Sequence, residues 1–286
     1  YAIQLSFAPG DVGPVQDGEN INIIRDAVLF YRPNKHWSIA FGQTKLPGNR
    51  QRVNSSGALE LTDRSINNTR FNIDRDFGWQ GFFLNEKKDK FSYNLKGAVS
   101  TGNDGFALTG KVELFPLGAF TKDGTNFEGD IVRESKPKLL LSGVFHRNVH
   151  ARLTQGQLGA ELYEKKTIES VFVDAMVKYN GWAFMSAYMN RTSNDPIAVN
   201  PDDATQFNYV YVGHGMDYQL SYIFLKNLEV IGRFSNQKVN DDIYMFTPNS
   251  KVYTLGLTKY IWEHAFKLQT EVTYDELSYF NGDVKN

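Results

Sequence analysis

Apolar and polar residues alternate along about a dozen short segments of this chain, the pattern of strands with one apolar and one wet face. The cleanest runs from Phe91 to Val99: Phe91, Tyr93, Leu95, Gly97 and Val99 share one face, and Ser92, Asn94, Lys96 and Ala98 the other. Because strand side chains point to opposite faces with a period of two, such a segment can separate hydrocarbon from a wet interior without a continuous apolar run. The pattern predicts strands near Tyr1–Ala8, Ile23–Tyr31, Trp37–Gln43, Gly78–Leu84, Phe91–Val99 and Phe106–Leu114. It continues through Lys138–Arg147, Ile168–Tyr179, Trp182–Arg191, Phe207–Phe224, Leu228–Ser235, Lys251–Tyr260 and Ala265–Leu277. That makes about thirteen strands, one of them of double length.

Connections alternate short with long. Tight ones fall at Arg32–His36, Asn85–Asp89, Asn180-Gly181, Lys226-Asn227 and Ile261–Glu263, and Asn-Gly is the strongest two-residue hairpin signal. Longer ones fall at Pro9–Asn20, Thr44–Phe77, Asn148–Thr167, Thr192–Gln206 and Asn236–Ser250. This asymmetry matches outer-membrane barrels, with short turns at the periplasmic end and long loops outside. Two links break it: Thr101–Gly105 is short where length is expected, and Phe115–Pro137 is long where a turn is expected. The expectation is therefore an all-β, transmembrane antiparallel β-barrel forming a single domain over 1–286, with residues 44–77 a long loop folded inward. A strand at Tyr1 and a polar ending from Phe280 to Asn286 lead to the further expectation of missing strands at both ends, since a barrel's last strand must pair with its first.

Aromatic placement supports the same orientation. Trp37, Trp182 and Trp262 flank tight turns together with Tyr31, Tyr179 and Tyr260, as in a girdle at a membrane interface. The polar faces supply a hydrated lining: Lys96; Lys111 and Glu113; Glu229 and Arg233; and Lys267, Gln269 and Glu271, each opposite an apolar face such as Leu108, Val112 or Phe266, Leu268 and Val272.

Composition narrows the partners. The 286 residues include 24 glycines and 14% aromatics, with a mean hydropathy of -0.41, so no run approaches the roughly 20 apolar residues of a spanning helix. Zero cysteines exclude disulfides and thiolate metal sites, and a net charge of -1 argues against a nucleic-acid partner. No cofactor motif is present; glycine-rich phosphate loops, dinucleotide fingerprints and zinc spacings are all missing from the sequence.

The densest charge lies in the longest loop, where Arg50, Arg52, Arg64, Arg70 and Arg75 are interleaved with Glu60, Asp63, Asp74 and Asp76. A loop this long is usually functional or disordered, and cations at a constriction attract and partly dehydrate anions. Pairing among these charges, fixing the loop in place, is the alternative role, and the two are compatible.

The runs FGQTKLPGNRQR from Phe41, RFNIDRDFGWQG from Arg70, FPLGAF and FEGD between Phe115 and Asp130, and GQLGAEL from Gly156 resemble the phosphate-selective porin O and P family in the same order. The resemblance implies an outer-membrane barrel of about 16 strands, usually trimeric, whose third external loop enters the lumen. Two strands before Tyr1 and one after Asn286 would complete it, and the arginine-rich loop would then be the third. In phosphate-specific relatives the eyelet uses lysine and arginine from wall and loop, a role the resemblance carries to Lys45, in the motif from Gly42 to Pro47, and after it to Arg50 and Arg52. The chain departs from those relatives in having no evident ladder of wall arginines, which implies a general or weakly anion-preferring pore for inorganic anions such as phosphate or small polar solutes.

Other readings compete. An outer-membrane hydrolase needs a poised base, and among His36, His146, His150, His214 and His264 only His214 is placed mid-strand, without a recognisable serine or aspartate partner. A soluble β-sandwich also has many short strands. A non-conducting barrel within a larger outer-membrane complex has the same sequence pattern as a porin.

Overall fold

The structure, a computed structural model, describes residues 1–5, 24–102, 104–157, 159–225 and 227–285. It is all-β. The strands are β1 (Ala2–Leu5), β2 (Ile24–Tyr31), β3 (Trp37–Lys45), β4 (Arg75–Asn85), β5 (Ser92–Ser100), β6 (Phe106–Phe115), β7 (Lys138–Gln157) and β8 (Glu161–Tyr179). They continue as β9 (Trp182–Thr192), β10 (Ile197–Val199), β11 (Phe207–Tyr209), β12 (Gly213–Phe224), β13 (Leu228–Val239), β14 (Asn249–Trp262), β15 (Phe266–Ser278) and β16 (Val284–Lys285). Fourteen form one antiparallel sheet in chain order, and β10 pairs with β11 in a separate ribbon. Within the described residues β1 and β16 each pair with one neighbour, so the sheet has two edges.

Over much of the sheet an apolar face is exposed and a polar face is covered. Leu255 and Val272 are 63% and 75% exposed, whereas Glu229 and Lys178 on the other face are 0% and 1% exposed. Along β6, Leu108 and Val112 are exposed while Thr109, Lys111 and Glu113 are buried. What buries the polar face is the segment from 46 to 74, which carries helices α1 (Arg50–Val53) and α2 (Ile66–Phe71). It bonds to β6 through Lys111, to β8 through Asp174, to β12 through Asp217 and to β15 through Glu271, so the sheet curls round it.

Five elements differ from expectation. β10 lies within the predicted loop Thr192–Gln206 and β16 within the polar ending from Phe280, where the sequence predicts no strand. The predicted loop Asn148–Thr167 is mostly strand, because β7 and β8 continue beyond Asn148 and Ile168 with register shifts at Ala151 and Leu153. The predicted double-length strand Phe207–Phe224 is two elements, β11 and β12, separated at Val210–Val212, whose side chains enter an apolar cluster with Phe71, Phe172 and Met189. The predicted loop Asn236–Ser250 is shortened by the extension of β13 and holds the short helix α3 (Asp241–Tyr244). The tight turn Asn180-Gly181 has φ of 47° and 89°, as its sequence requires. The predicted loop Pro9–Asn20 lies outside the described residues, as does Lys226 of the turn before Asn227.

The long link between β6 and β7 has a physical account. It leaves from the end of the sheet that carries the tight turns and folds back across the covered face, anchored by packing of Phe115 and Phe120 on Leu140 and Met176. Asp130 accepts hydrogen bonds from Gly181 N (2.7 Å) and Glu134 N (3.0 Å), and Arg133 donates to Ile223 O and Asn180 O, lacing the link to neighbouring turns. The short link Thr101–Gly105 is held under Asp76, which accepts from Thr101 Oγ1 and Gly102 N.

Candidate functional site

Two segments entering from opposite ends of the sheet meet over the covered face. The backbone N–H of Glu60 donates to Glu128 Oε2 at 3.0 Å, and Glu128 N donates to Ala58 O at 3.0 Å. Gln51 Nε2 donates to Glu128 Oε1 at 3.0 Å. The Glu60 carboxylate accepts from Ser221 Oγ (2.6 Å) and Gln219 Nε2, and Tyr260 donates its hydroxyl to Glu229 Oε2 at 2.6 Å. Burial, reinforced by the charges of Glu229 and Glu128, pushes the Glu60 carboxyl well above the usual carboxylate range. Lys178 caps the link, donating to Gly124 O and Phe127 O with its ammonium 4.1 Å from the Phe127 ring centroid.

The predicted cations separate into groups. Lys45, Arg52, Arg64 and Arg75 gather where β3 and β4 meet the loop. Lys45 Nζ donates to Val53 O (3.1 Å) and Asn54 O (3.3 Å), and Arg64 to Gln51 O (2.8 Å) and Asn54 O (3.1 Å). Arg52 Nε donates to Asp74 Oδ1 at 2.8 Å, while Arg75 grips both oxygens of Asp26 at 3.0 and 3.1 Å. Arg50 is apart from them, buried with its backbone N–H towards Asp174 and its guanidinium on Met176 and Thr125 O. Arg70 is exposed, stacked 5.3 Å from the Tyr211 ring centroid. Of the loop's acids, Asp74 pairs with Arg52 and Arg75, whereas Glu60 accepts from Ser221 and Gln219 and Asp76 from Thr101 and Gly102.

All eight predicted lining residues lie on the covered face. Lys96 and Lys111 reach Glu113 at 2.9 and 3.1 Å, and Lys111 also donates to Gly48 O at 3.0 Å. Arg233 donates to Asp63 O, Lys267 to Leu59 O and Gln269 to Glu60 O, while Glu271 accepts from Thr62 N. A cavity of about 490 Å³ remains beneath α1, bordered by His36, Arg50, Asn54, Lys96, Lys111 and Glu113.

Of the predicted girdle, Trp37, Tyr179, Trp182 and Trp262 project from the exposed face near the tight turns. Tyr260 does not: it is 1% exposed on the covered face, because strand alternation from the exposed Leu255 and Leu257 turns residue 260 inward to Glu229. Likewise His214 lies on the exposed face of β12, away from the buried polar groups. Sequence reasoning missed Asp174, Lys178, Asp217 and Gln219. The signal was available, since the apolar alternation Val171, Val173, Val177 sets Asp174 and Lys178 on the opposite face.

No protein-family model matches the chain, and no curated protein matches it.

Proposed function

We propose that this chain is a porin: a transmembrane β-barrel of the bacterial outer membrane, resembling the phosphate-selective porin O and P family, through which small hydrophilic solutes diffuse passively. The observation that carries the reading is the inverted burial, with Leu255 and Val272 outward and Glu229, Lys178 and Lys111 inward around an inserted loop. Apolar side chains at this density on one face suit hydrocarbon, and buried ions suit a wet lumen.

The route follows β3 to β6. Lys45, Arg52, Arg64 and Arg75 are its proposed constriction, and the 490 Å³ cavity borders Val53 and Asn54 on the side of the tight turns. Since Asp74 and Asp26 neutralise much of the cation cluster, the selectivity proposed is a weak anion preference rather than phosphate specificity. Three such barrels associating as a homotrimer complete the proposal.

The test is single-channel conductance and reversal potential of the full-length protein in a planar bilayer under a chloride gradient, with and without phosphate. Weakly anion-selective steps that phosphate leaves unblocked are expected. Phosphate block indicates a selective eyelet, whereas a silent bilayer overturns the porin reading.

Silence would favour a second reading, a non-conducting structural barrel. It draws support from the junction of the loop with the link between β6 and β7, and from the apolar cluster of Leu46, Phe71, Ile73, Phe172 and Met189 that fills the opposite half of the covered face.

A further inference from the structure

The tight-turn end is charged on one side. The turns after β2 and β4 expose Arg32, Lys35, Lys87, Lys88 and Lys90 beside the acid Glu86, with Lys35 and Glu86 also bordering the cavity, and neither Glu86 nor any of the five cations forms an ion pair with a described residue. They lie side by side, because Leu84 N donates to His36 O (2.7 Å) and His36 Nδ1 contacts Leu84 O (2.8 Å). Lys136 extends the row, 3.1 Å from Asp89. In a chain of net charge -1 this is a local excess of positive charge, and the turns after β8 and β14 carry Asn180-Gly181 and Glu263-His264 instead.

Directly above these cations on the exposed face lies an aromatic surface. Trp37 packs on Phe83 with ring centroids 5.1 Å apart, Phe83 packs on Tyr93 at 5.8 Å, and Tyr31 and Phe91 stand exposed beside them. Amphipathic rings seek the headgroup level of a bilayer, and cations just beyond them stand level with lipid phosphates.

We infer that the rim formed by Arg32, Lys35, Lys87, Lys88 and Lys90 binds anionic phospholipid headgroups, with the acyl chains lying along the Trp37, Phe83 and Tyr93 surface. The inference rests on the membrane-spanning reading above. A phospholipid satisfies both halves of the surface, a phosphate for the ammonium groups and a hydrocarbon chain for the rings. Free phosphate satisfies only the first.

The full chain is reconstituted in vesicles of equal phosphatidylglycerol and phosphatidylcholine, extracted in mild detergent, and its retained lipid measured by native mass spectrometry. Wild type is expected to retain phosphatidylglycerol over phosphatidylcholine by about tenfold at low salt, since each surface cation contributes to anionic-lipid binding. In R32Q/K35Q/K87Q/K88Q/K90Q the ratio should fall to near one, while the set with lysines changed to arginine should keep it. Far-UV circular dichroism shows whether the variants retain the sheet. Equal retention by wild type and the glutamine variant overturns the inference, as does displacement of the lipid by millimolar inorganic phosphate. A chain that fails to enter vesicles overturns the porin reading as well. One that enters and conducts without lipid preference overturns this inference alone.

Discussion

The Glu60 backbone N–H donates to the Glu128 carboxylate at 3.0 Å, joining a loop that enters from one end of the sheet to a link that enters from the other. Glu229 of the wall adds a third carboxylate, held by Tyr260. Burial beside these carboxylates disfavours the ionised form of Glu60, so its protonation favours the junction.

Stability should follow from this in sign. The folded-state pKa of Glu60 is raised above its ordinary value of 4.5, so its contribution is full below that pH and is lost as pH rises through the raised value. Thermal unfolding of the detergent-solubilised protein, followed by circular dichroism, should show a midpoint that declines as pH increases above 4.5. In E60Q, which keeps an acceptor for Ser221 and carries no charge, the decline should flatten and stability at alkaline pH should rise relative to wild type. Parallel pH profiles for wild type and E60Q would dismiss the junction as a titrating element.

Arg75 connects β4 to β2 by a two-pronged bond to Asp26, with both side chains largely buried at 8% and 13% exposure. R75A leaves Asp26 without its partner and takes a donor from Asp74, so it should destabilise by about 3 kcal/mol in urea unfolding. D26N should cost less, because the amide oxygen still accepts one guanidinium bond and Arg75 keeps Asp74 at 3.4 Å. A loss in R75A with D26N near neutral would place the stability in the packing of Arg75 instead of in the pair.

How much of this was legible from sequence depended on the range of the interaction. Alternation is local, so the two faces of β6, β13 and β15 were readable, as was the hairpin turn Asn180-Gly181. The partition of the loop cations was not. Arg50 and Arg52 are two residues apart, yet one is buried on Met176 and the other pairs with Asp74, because the backbone of α1 turns them to different walls. The length of the link between β6 and β7 became intelligible only through Asp130, Arg133 and Glu128, whose partners lie on distant strands and in the loop. Tyr260 shows the limit of composition: a tyrosine beside a tight turn reads as girdle, but its parity within β14 sends it inward.

For the proposed pore, Lys45, Arg52 and Arg64 are the cations nearest the narrow part whose removal spares the Arg75–Asp26 bond. K45Q/R52Q/R64Q should lower the anion-to-cation permeability ratio about fivefold, the effect of roughly one charge interaction at close range in water. Reversal potentials in a salt gradient measure it. An unchanged ratio, with conductance intact, would remove these residues from any filter.

Gly215 tests whether the inserted loop sets the constriction. It lies on the covered face of β12 beneath α2, where an added Cβ would come 1.9 Å from Asn67 Oδ1. Asn67 has little freedom to yield, since its side-chain amide donates to Met216 O (3.1 Å), Asp217 Oδ1 (2.9 Å) and Asn236 O (3.2 Å), and Ser65 caps α2 while bonding Asp217 at 2.7 Å. G215V must therefore lift α2 from the wall and break several of these bonds, at a cost of about 1–3 kcal/mol for polar groups left unpaired. Since α2 and α1 belong to one segment, its displacement also loosens Lys45 from Val53 and Asn54. Single-channel conductance of G215V should exceed that of wild type, accompanied by faster proteolysis within residues 46–74, while the sheet stays intact by circular dichroism. Accelerated proteolysis without a rise in conductance would show that the loop moves but does not limit the passage, and the constriction would have to be sought at the link between β6 and β7.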